Sequence, residues 1–237
     1  MILLIDADSL IFASCYRKRE TPEDEKYYTD IADARNKFDE QFMAIVNRLE
    51  EVYNVDKVIT FSGSNGNFRK LITKKYKANR NYSDLPPLLN EMHKFVKEQY
   101  DSIYGHGVET DDMVARYWHK LQKEHGRDEV IIVSIDKDYK QLPALIYNYH
   151  FKHQEIYDIS EEQAMYNFYE QMVCGDSSDN VNYFKGKGKK FSEKYFVNCS
   201  SKYQYTKKLY ELFTQKYKSK SRQKYAECYH LLKLRTQ

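Results

Sequence analysis

The chain has 237 residues, enough for one large domain or a domain with a small appendage, and an apolar share of 41% that can fill a core. The net charge of +3 is unevenly placed: residues 182–237 hold 15 Lys/Arg against 3 Asp/Glu, so the remainder is acidic. No apolar run is long enough to cross a membrane, residues 1–5 are too short for a signal-peptide core, and Cys15, Cys174, Cys199 and Cys228 form no CxxC pair, which argues against a disulfide framework and for a reducing, cytoplasmic setting.

Residues 1–5 form an unbroken apolar run ending at Asp6, the pattern of a central parallel strand. Residues 38–53 have helical periodicity, with Phe42, Ile45, Val46 and Leu49 on one face. Residues 57–61 read as a second strand, and 63–67 as a turn-rich loop. Residues 68–82 are dense in Lys and Arg, and the rings of Tyr76 and Tyr82 suit either core packing or stacking on an unpaired base. Pro86 and Pro87 open a helix that runs to Tyr100. Thr110 is placed to cap the next helix, 111–124, which stops near Gly126. Residues 130–135 and 146–149 supply two more strands, and from about Ser160 onward the pattern is helical. Strands alternating with helices imply an α/β fold with a mostly parallel sheet, in which ligands gather at the carboxyl ends of the strands. Asp6 and Asp136 fall there.

Acidic residues form four groups: Asp6 with Asp8; Glu109, Asp111 and Asp112; Asp136 and Asp138; Asp176 and Asp179. Any one group has an ordinary explanation, since a carboxylate at a helix N-terminus gains about 0.3–1 kcal/mol. Gathered at one sheet edge, the four would repel one another, and divalent cations offset such repulsion best. Oxygen-only donors point to Mg²⁺, with Mn²⁺ as a substitute. Two such ions about 3.5–4 Å apart can activate a water and stabilise the entering and leaving oxygens of a phosphodiester. An acidic body with a basic tail also suits a polyanion partner, although a solvated basic helical face would produce the same count.

Taken in order, the motifs resemble the 5′-nuclease family of bacteriophage flap endonucleases and the 5′-nuclease domain of bacterial DNA polymerase I. LLIDADSL resembles its opening strand, KYKANR its basic arch element, GVETDD its glutamate-x-aspartate-aspartate motif, SIDKDYKQL its DKD-x-x-QL motif, and GDSSDNV followed by FKGKGKK its acidic loop and glycine-x-glycine turn. The resemblance implies a PIN-like, mostly parallel sheet flanked by helices. It implies a catalytic core over residues 1–159 with a basic arch at about 67–90. A DNA-binding helical region over 160–237 would contain a helix–three-turn–helix at about 172–197. It implies that Asp6, Glu109, Asp111 and Asp136 hold a first metal or its waters, that Asp138, Asp176 and Asp179 hold a second, and that Asp112 supports them. Lys77 and Arg80 would reach the scissile phosphate. Lys75, Lys185, Gly186, Lys187, Gly188, Lys189 and Lys190 would hold duplex phosphates, with K⁺ at the turn. One departure stands out: the second strand reads FSGSNG where the family carries an aspartate, so Ser62 stands in its place, and either a water replaces the carboxylate, or Asp8 partly compensates, or the first metal is held more weakly.

The expected activity is hydrolysis of DNA at a 5′ flap or a 5′ end beside a duplex, by a monomer working with replication proteins. RNA–DNA hybrids are a second substrate, because recognition would be by shape and backbone. Two other readings stay open: a haloacid dehalogenase-type phosphatase, with Asp6 as nucleophile and Asp8 as acid/base, and a structure-specific DNA-binding relative without cleavage, which Ser62 favours.

Overall fold

Alternation within each apolar run decides how the centre of the molecule is built. In a computed structural model describing residues 1–17, 28–81 and 85–237, the opening run is strand β1 (Ile2–Asp6), buried on both faces. Ile2 and Leu4 pack into one cluster, with Val130 and Ile132 beside them; Leu3 and Ile5 pack into another, with Ile131 and Val133. A strand with apolar side chains on both sides needs helices on both sides.

The described residues form one six-stranded sheet. The further strands are β2 (Lys57–Asn65), β3 (Ile103–His106), β4 (Val130–Val133), β5 (Leu145–Asn148) and β6 (Glu155–Asp158), in the order β3-β2-β1-β4-β5-β6. All neighbouring pairs are parallel except β5–β6, which is antiparallel. The chain order reverses between β1 and β4, and in open α/β sheets that switch point opens a crevice at the carboxyl edge.

Helices α1 (Asp8–Ser14), α2 (Ile31–Glu50) and α4 (Leu89–Gln99) cover one face through Leu10, Ile11, Phe38, Phe42, Met92 and Val96. Between the last two lies the short α3 (Arg69–Ile72). On the other face, α5 (Thr110–His125) presents Val114, Ala115, Trp118 and Leu121. The remaining helices are α6 (Glu161–Cys174), α7 (Lys189–Phe196), α8 (Lys202–Tyr217) and α9 (Ser221–Leu232). They share a third core that also takes in Tyr76. Ser160 and Ser201 start α6 and α8 with reciprocal capping boxes to Gln163 and Gln204.

Several boundaries differ from the sequence expectations. Strands β3 and β6 were not anticipated: β3 contains Gly105, and β6 is a short edge strand with Glu155 and Asp158 exposed at its ends. α4 begins at Leu89, after both prolines. The cap of α5 is Glu109, not Thr110, and makes no side-chain capping bond; the Thr110 hydroxyl donates to Asp8 instead (2.7 Å). Gly126 ends α5 as expected, with φ 102°. Tyr82 and part of the expected arch lie outside the described residues. No helix among the described residues is long and apolar enough to cross a membrane.

Candidate active site

Asp6 closes β1 at the edge of the crevice. Tyr139, fully buried on the 3₁₀ turn after β4, donates its hydroxyl to one Asp6 oxygen (2.8 Å), and the Asp8 amide approaches the other (3.2 Å). Burial, then the charge of Asp8, push the Asp6 carboxyl up to about 7. Asp136 caps the same 3₁₀ turn and accepts from the Asp138 amide (2.9 Å). Its carboxyl lies at the surface of the crevice, yet the surrounding protein removes enough water to raise it, and Asp179 and Asp176 add repulsion. Asp138 is pushed up to about 8 by burial, Asp136 and Asp176, while Gln171 of α6 donates to it (2.8 Å).

The start of α5 brings the second carboxylate group. Asp111 lies well above the ordinary range through burial and the charges of Asp112 and Glu109. Glu109 goes the other way: burial alone would raise it, but Lys77 and Arg69 hold it below the usual value. Arg69 is 2% exposed and forks Asp112 through two bonds of 2.6 and 2.9 Å, with a third to Glu109 (2.9 Å). Both Asp112 oxygens are therefore taken by a guanidinium, the bidentate geometry in which arginine binds carboxylates best.

The Asp176–Asp179 turn leaves α6 through Gly175, where φ is 75° and a Cβ would lie 2.2 Å from the Val181 carbonyl oxygen. Only glycine fits that bend. One Asp176 oxygen accepts from the Ser178 amide (2.8 Å) and hydroxyl, and the other faces Lys137 (2.8 Å). Burial would raise Asp176, but these partners hold it low. The basic segment is docked on this turn. The Lys77 amide donates to the Asp179 carbonyl (2.9 Å), the Asn79 amide group to the Ser177 carbonyl (2.9 Å), and the Asn180 side chain to the Lys75 carbonyl (2.8 Å).

Docking places the segment's cations among the carboxylates. The Lys77 ammonium bonds to Glu109 and stands 3.4 Å from Asp179; Arg80 reaches Asp179 at 3.2 Å. Lys77 has φ 54°, a strained conformation for a non-glycine residue. Burial would lower its ammonium, but Glu109 and Asp179 hold it above the usual value. Lys75 is exposed on the outer side. Among the described residues, no three His, Cys, Asp or Glu side chains form a ready-made metal cage. Arg69, Lys77, Arg80 and Lys137 pair with Glu109, Asp112, Asp176 and Asp179. The donor set nevertheless suits a hard divalent cation, since Asp6, Asp111, Asp136 and Asp138 all stand above their ordinary values, raised first by burial and then by neighbouring carboxylate charges.

The glycine–lysine run lies at the start of α7. Gly186 has φ 83°, and a Cβ there or at Gly188 would meet nothing within 4 Å. Lys185, Lys189 and Lys190 are exposed, and Lys187 lies over the Phe191 ring (3.6 Å). Lys189 also faces Glu170 (3.6 Å).

Tyr76 is 3% exposed, and its hydroxyl lies 2.7 Å from an oxygen of both Glu109 and Asp179 with one proton to share between them, so of its two readings core packing holds and stacking does not. Ser62 is fully buried and hydrogen-bonded to Ser102. Asp8 lies beside it: its oxygens accept from the Gly63 amide (2.6 Å) and the Thr110 hydroxyl, and its charge raises Asp6. Sequence reasoning missed Arg69, Tyr139 and Gln171. Tyr139 lies inside SIDKDYKQL, Arg69 in the basic stretch 68–82 and Gln171 in no motif, and nothing in a one-dimensional pattern says which neutral or basic neighbour points inward.

The family model for the 5'-3' exonuclease N-terminal, resolvase-like domain matches residues 1–170. A curated 5'-3' exonuclease of Buchnera aphidicola subsp. Schizaphis graminum (strain Sg) is 31% identical over 151 residues, covering 58% of this chain and 51% of that protein. The chain thus spans about half the length of that relative. The fold is similar to bacteriophage T5 flap endonuclease solved as a pseudo-enzyme–product complex with DNA and metal ions (TM-score 0.63, 18% identity, 98% of this chain and 89% of that chain). It is also similar to T5 5'-exonuclease with bound zinc (TM-score 0.62, 17% identity, 98% and 89%). The catalytic core of Rad2 in complex with DNA substrate matches less closely (TM-score 0.51, 12% identity, 98% and 71%). At these identities the likeness to the solved structures is one of fold.

Proposed function

The chain belongs to the 5'-3' exonuclease family, and from that premise we propose that it is a divalent-metal-dependent nuclease hydrolysing phosphodiesters in DNA at a 5′ flap or a 5′ end beside a duplex. The observation that carries this reading is the meeting of carboxylates from β1, α5, the turn after β4 and the turn after α6 with Lys77 and Arg80 laid across them. Asp6, Glu109, Asp111 and Asp136 would hold one Mg²⁺ or its waters, and Asp138, Asp176 and Asp179 a second; Mn²⁺ suits the same oxygens. Bound there, the ions would supply a water of lowered pKa and neutralise charge on the phosphate. Asp112 supports this set through Arg69.

The chain's own groups do the rest. Tyr139 fixes the orientation of Asp6, and Gln171 that of Asp138. Lys77 stays protonated and half-buried between Glu109 and Asp179, so it is available to the phosphate once those oxygens take another cation. Arg80, about half exposed, reaches outward from the same edge. Lys75, Lys185, Lys187, Lys189 and Lys190 would hold duplex phosphates, and the open space at Gly186 and Gly188 suits close approach of a phosphate or of K⁺. Residues 1–159, with an arch within 67–90, would then be the catalytic unit. Residues 160–237, with a helix–three-turn–helix at about 172–197, would grip duplex. RNA–DNA hybrids, replication proteins as partners, a monomeric state and a cytoplasmic location belong to the same proposal.

The family match over residues 1–170 leaves the phosphatase alternative without support. One observation favours a binding protein without cleavage: buried Ser62 offers no carboxylate. Cleavage of a 5′-labelled flap duplex with Mg²⁺, Mn²⁺ or EDTA, beside Asp138→Ala, separates the two. Metal-dependent cutting near the junction, lost in the variant, is the expected result. Binding without cutting in either metal would transfer the assignment to the second reading.

A further inference from the structure

Glu109 with Asp112, and Asp138, lie on different elements, yet the side chains that hold them end on one stretch of backbone, residues 231–235, where α9 finishes. Arg69 spends all five of its N–H donors. They go to Asp112 twice, to Glu109, and to the carbonyls of Leu231 (3.0 Å) and Lys233 (3.1 Å). The Arg235 amide closes the ring on Asp112 (2.9 Å). On the other side, Gln141 donates to the Leu232 carbonyl (2.8 Å) and to Gln171 (2.6 Å), and Gln171 donates to Asp138. Between these contacts Leu234, 2% exposed, is packed into the core beneath α5 and the strands.

We propose that the strap of residues 231–235 sets the positions of both carboxylate groups at once, with Arg69 and Gln171 as the positioning residues that carry it to Glu109 and to Asp138, an inference that rests on the metal reading above. A strap that only stabilised the fold would need Leu234 in its pocket. It would not need its successive carbonyls to end two separate relays, each one or two side chains from a carboxylate. Partners of this kind, one bond behind the donors, typically change metal affinity or activity by about 10–100-fold when removed.

The test is Mn²⁺ binding to the full chain, read from the paramagnetic signal of free Mn²⁺ and set beside thermal unfolding, for the unaltered chain, Gln171→Met, Arg69→Lys, Leu234→Ala and the milder Leu234→Val. Gln171→Met keeps the length but loses the donor, and is expected to weaken one of two Mn²⁺ sites about tenfold or more. Leu234→Ala, or Leu234→Val if the alanine variant does not fold, is expected to weaken both together, although the Leu234 side chain is apolar and bonds to no carboxylate. Lowered thermal stability with both Mn²⁺ affinities unchanged in the Leu234 variants, or unchanged affinity in Gln171→Met, would overturn the proposal and leave the strap a stabilising element. No Mn²⁺ binding by the unaltered chain would overturn the metal reading itself and this inference with it.

Discussion

Lys77 is where the charges of the crevice converge: it neutralises Glu109, faces Asp179 and is held by its own amide on the Asp179 carbonyl. If it stabilises charge developing on the phosphate, Lys77→Ala should lower the single-turnover cleavage rate by about 10²–10³-fold, the usual cost of one such donor, while flap binding in Ca²⁺ changes little. Loss of binding in proportion to rate would make it an ordinary phosphate clamp. The carboxylates give a second expectation. A carboxyl held above its unfolded value binds its proton more tightly in the folded chain, so stability falls as pH rises past about 4 and goes on falling until the folded pKa is passed. That point is about 7 for Asp6 and about 8 for Asp138. Metal-free protein should therefore melt lower at pH 8 than at pH 5.5, by at least the 2–4 °C or so that one kcal/mol is worth in a chain of this size. Saturating Mg²⁺ at pH 8 should reverse the loss; equal melting temperatures at both pH values without metal would contradict it. At this scale the acidic residues were legible because their spacing is linear. The buried fork of Arg69 and the Ser62–Ser102 pair were not, because they depend on what faces what across the interior.

Among elements, the turn after α6 makes the sharpest demand. Gly175→Ala would drive a methyl into the Val181 carbonyl and strain φ as well, and should cost more than about 2 kcal/mol in urea unfolding. Gly186→Ala meets no atom, carries only the cost of a left-handed conformation, about 1–2 kcal/mol, and should be milder. Similar losses at the two glycines would count against the steric account. Strands β1 and β4 could be read from sequence because each is an apolar run buried on two faces, and the first half of β2 from its β-branched Val58, Ile59 and Thr60. Strand β3 could not: it is only four residues long, one of them glycine, and its pairing with β2 carries an irregularity between Phe61 and Ser64. The start of α5 was misplaced by one residue because Thr110, a good capping type, is drawn to Asp8 by tertiary contact.

Over the whole molecule, the charge division seen in the sequence becomes a spatial one, with carboxylates in the crevice and lysines along the start of α7. If those lysines contact phosphates, each of Lys185→Ala and Lys190→Ala should flatten the dependence of log affinity on log salt for duplex DNA by about 0.9. Fluorescence anisotropy between low and moderate salt reads this directly, and an unchanged slope would place the duplex elsewhere. The α/β class followed from alternating patterns, and the helical last third from the loss of strand-like runs after Ser160. The sheet order did not, since nothing local in the sequence says that the chain turns back between β1 and β4. The antiparallel β6 has a bearing on how the molecule behaves in company. A parallel sheet ending at β5 would offer an apolar strand with unpaired amides and carbonyls to any neighbouring chain. Here the border is a short strand with Glu155 and Asp158 at its ends, and Arg127 bonds to Asp158 and to the Ile159 carbonyl just beyond it. Charge and brevity make that border a poor template for strand addition, so crowded solutions of this protein gain little by joining sheet to sheet along it.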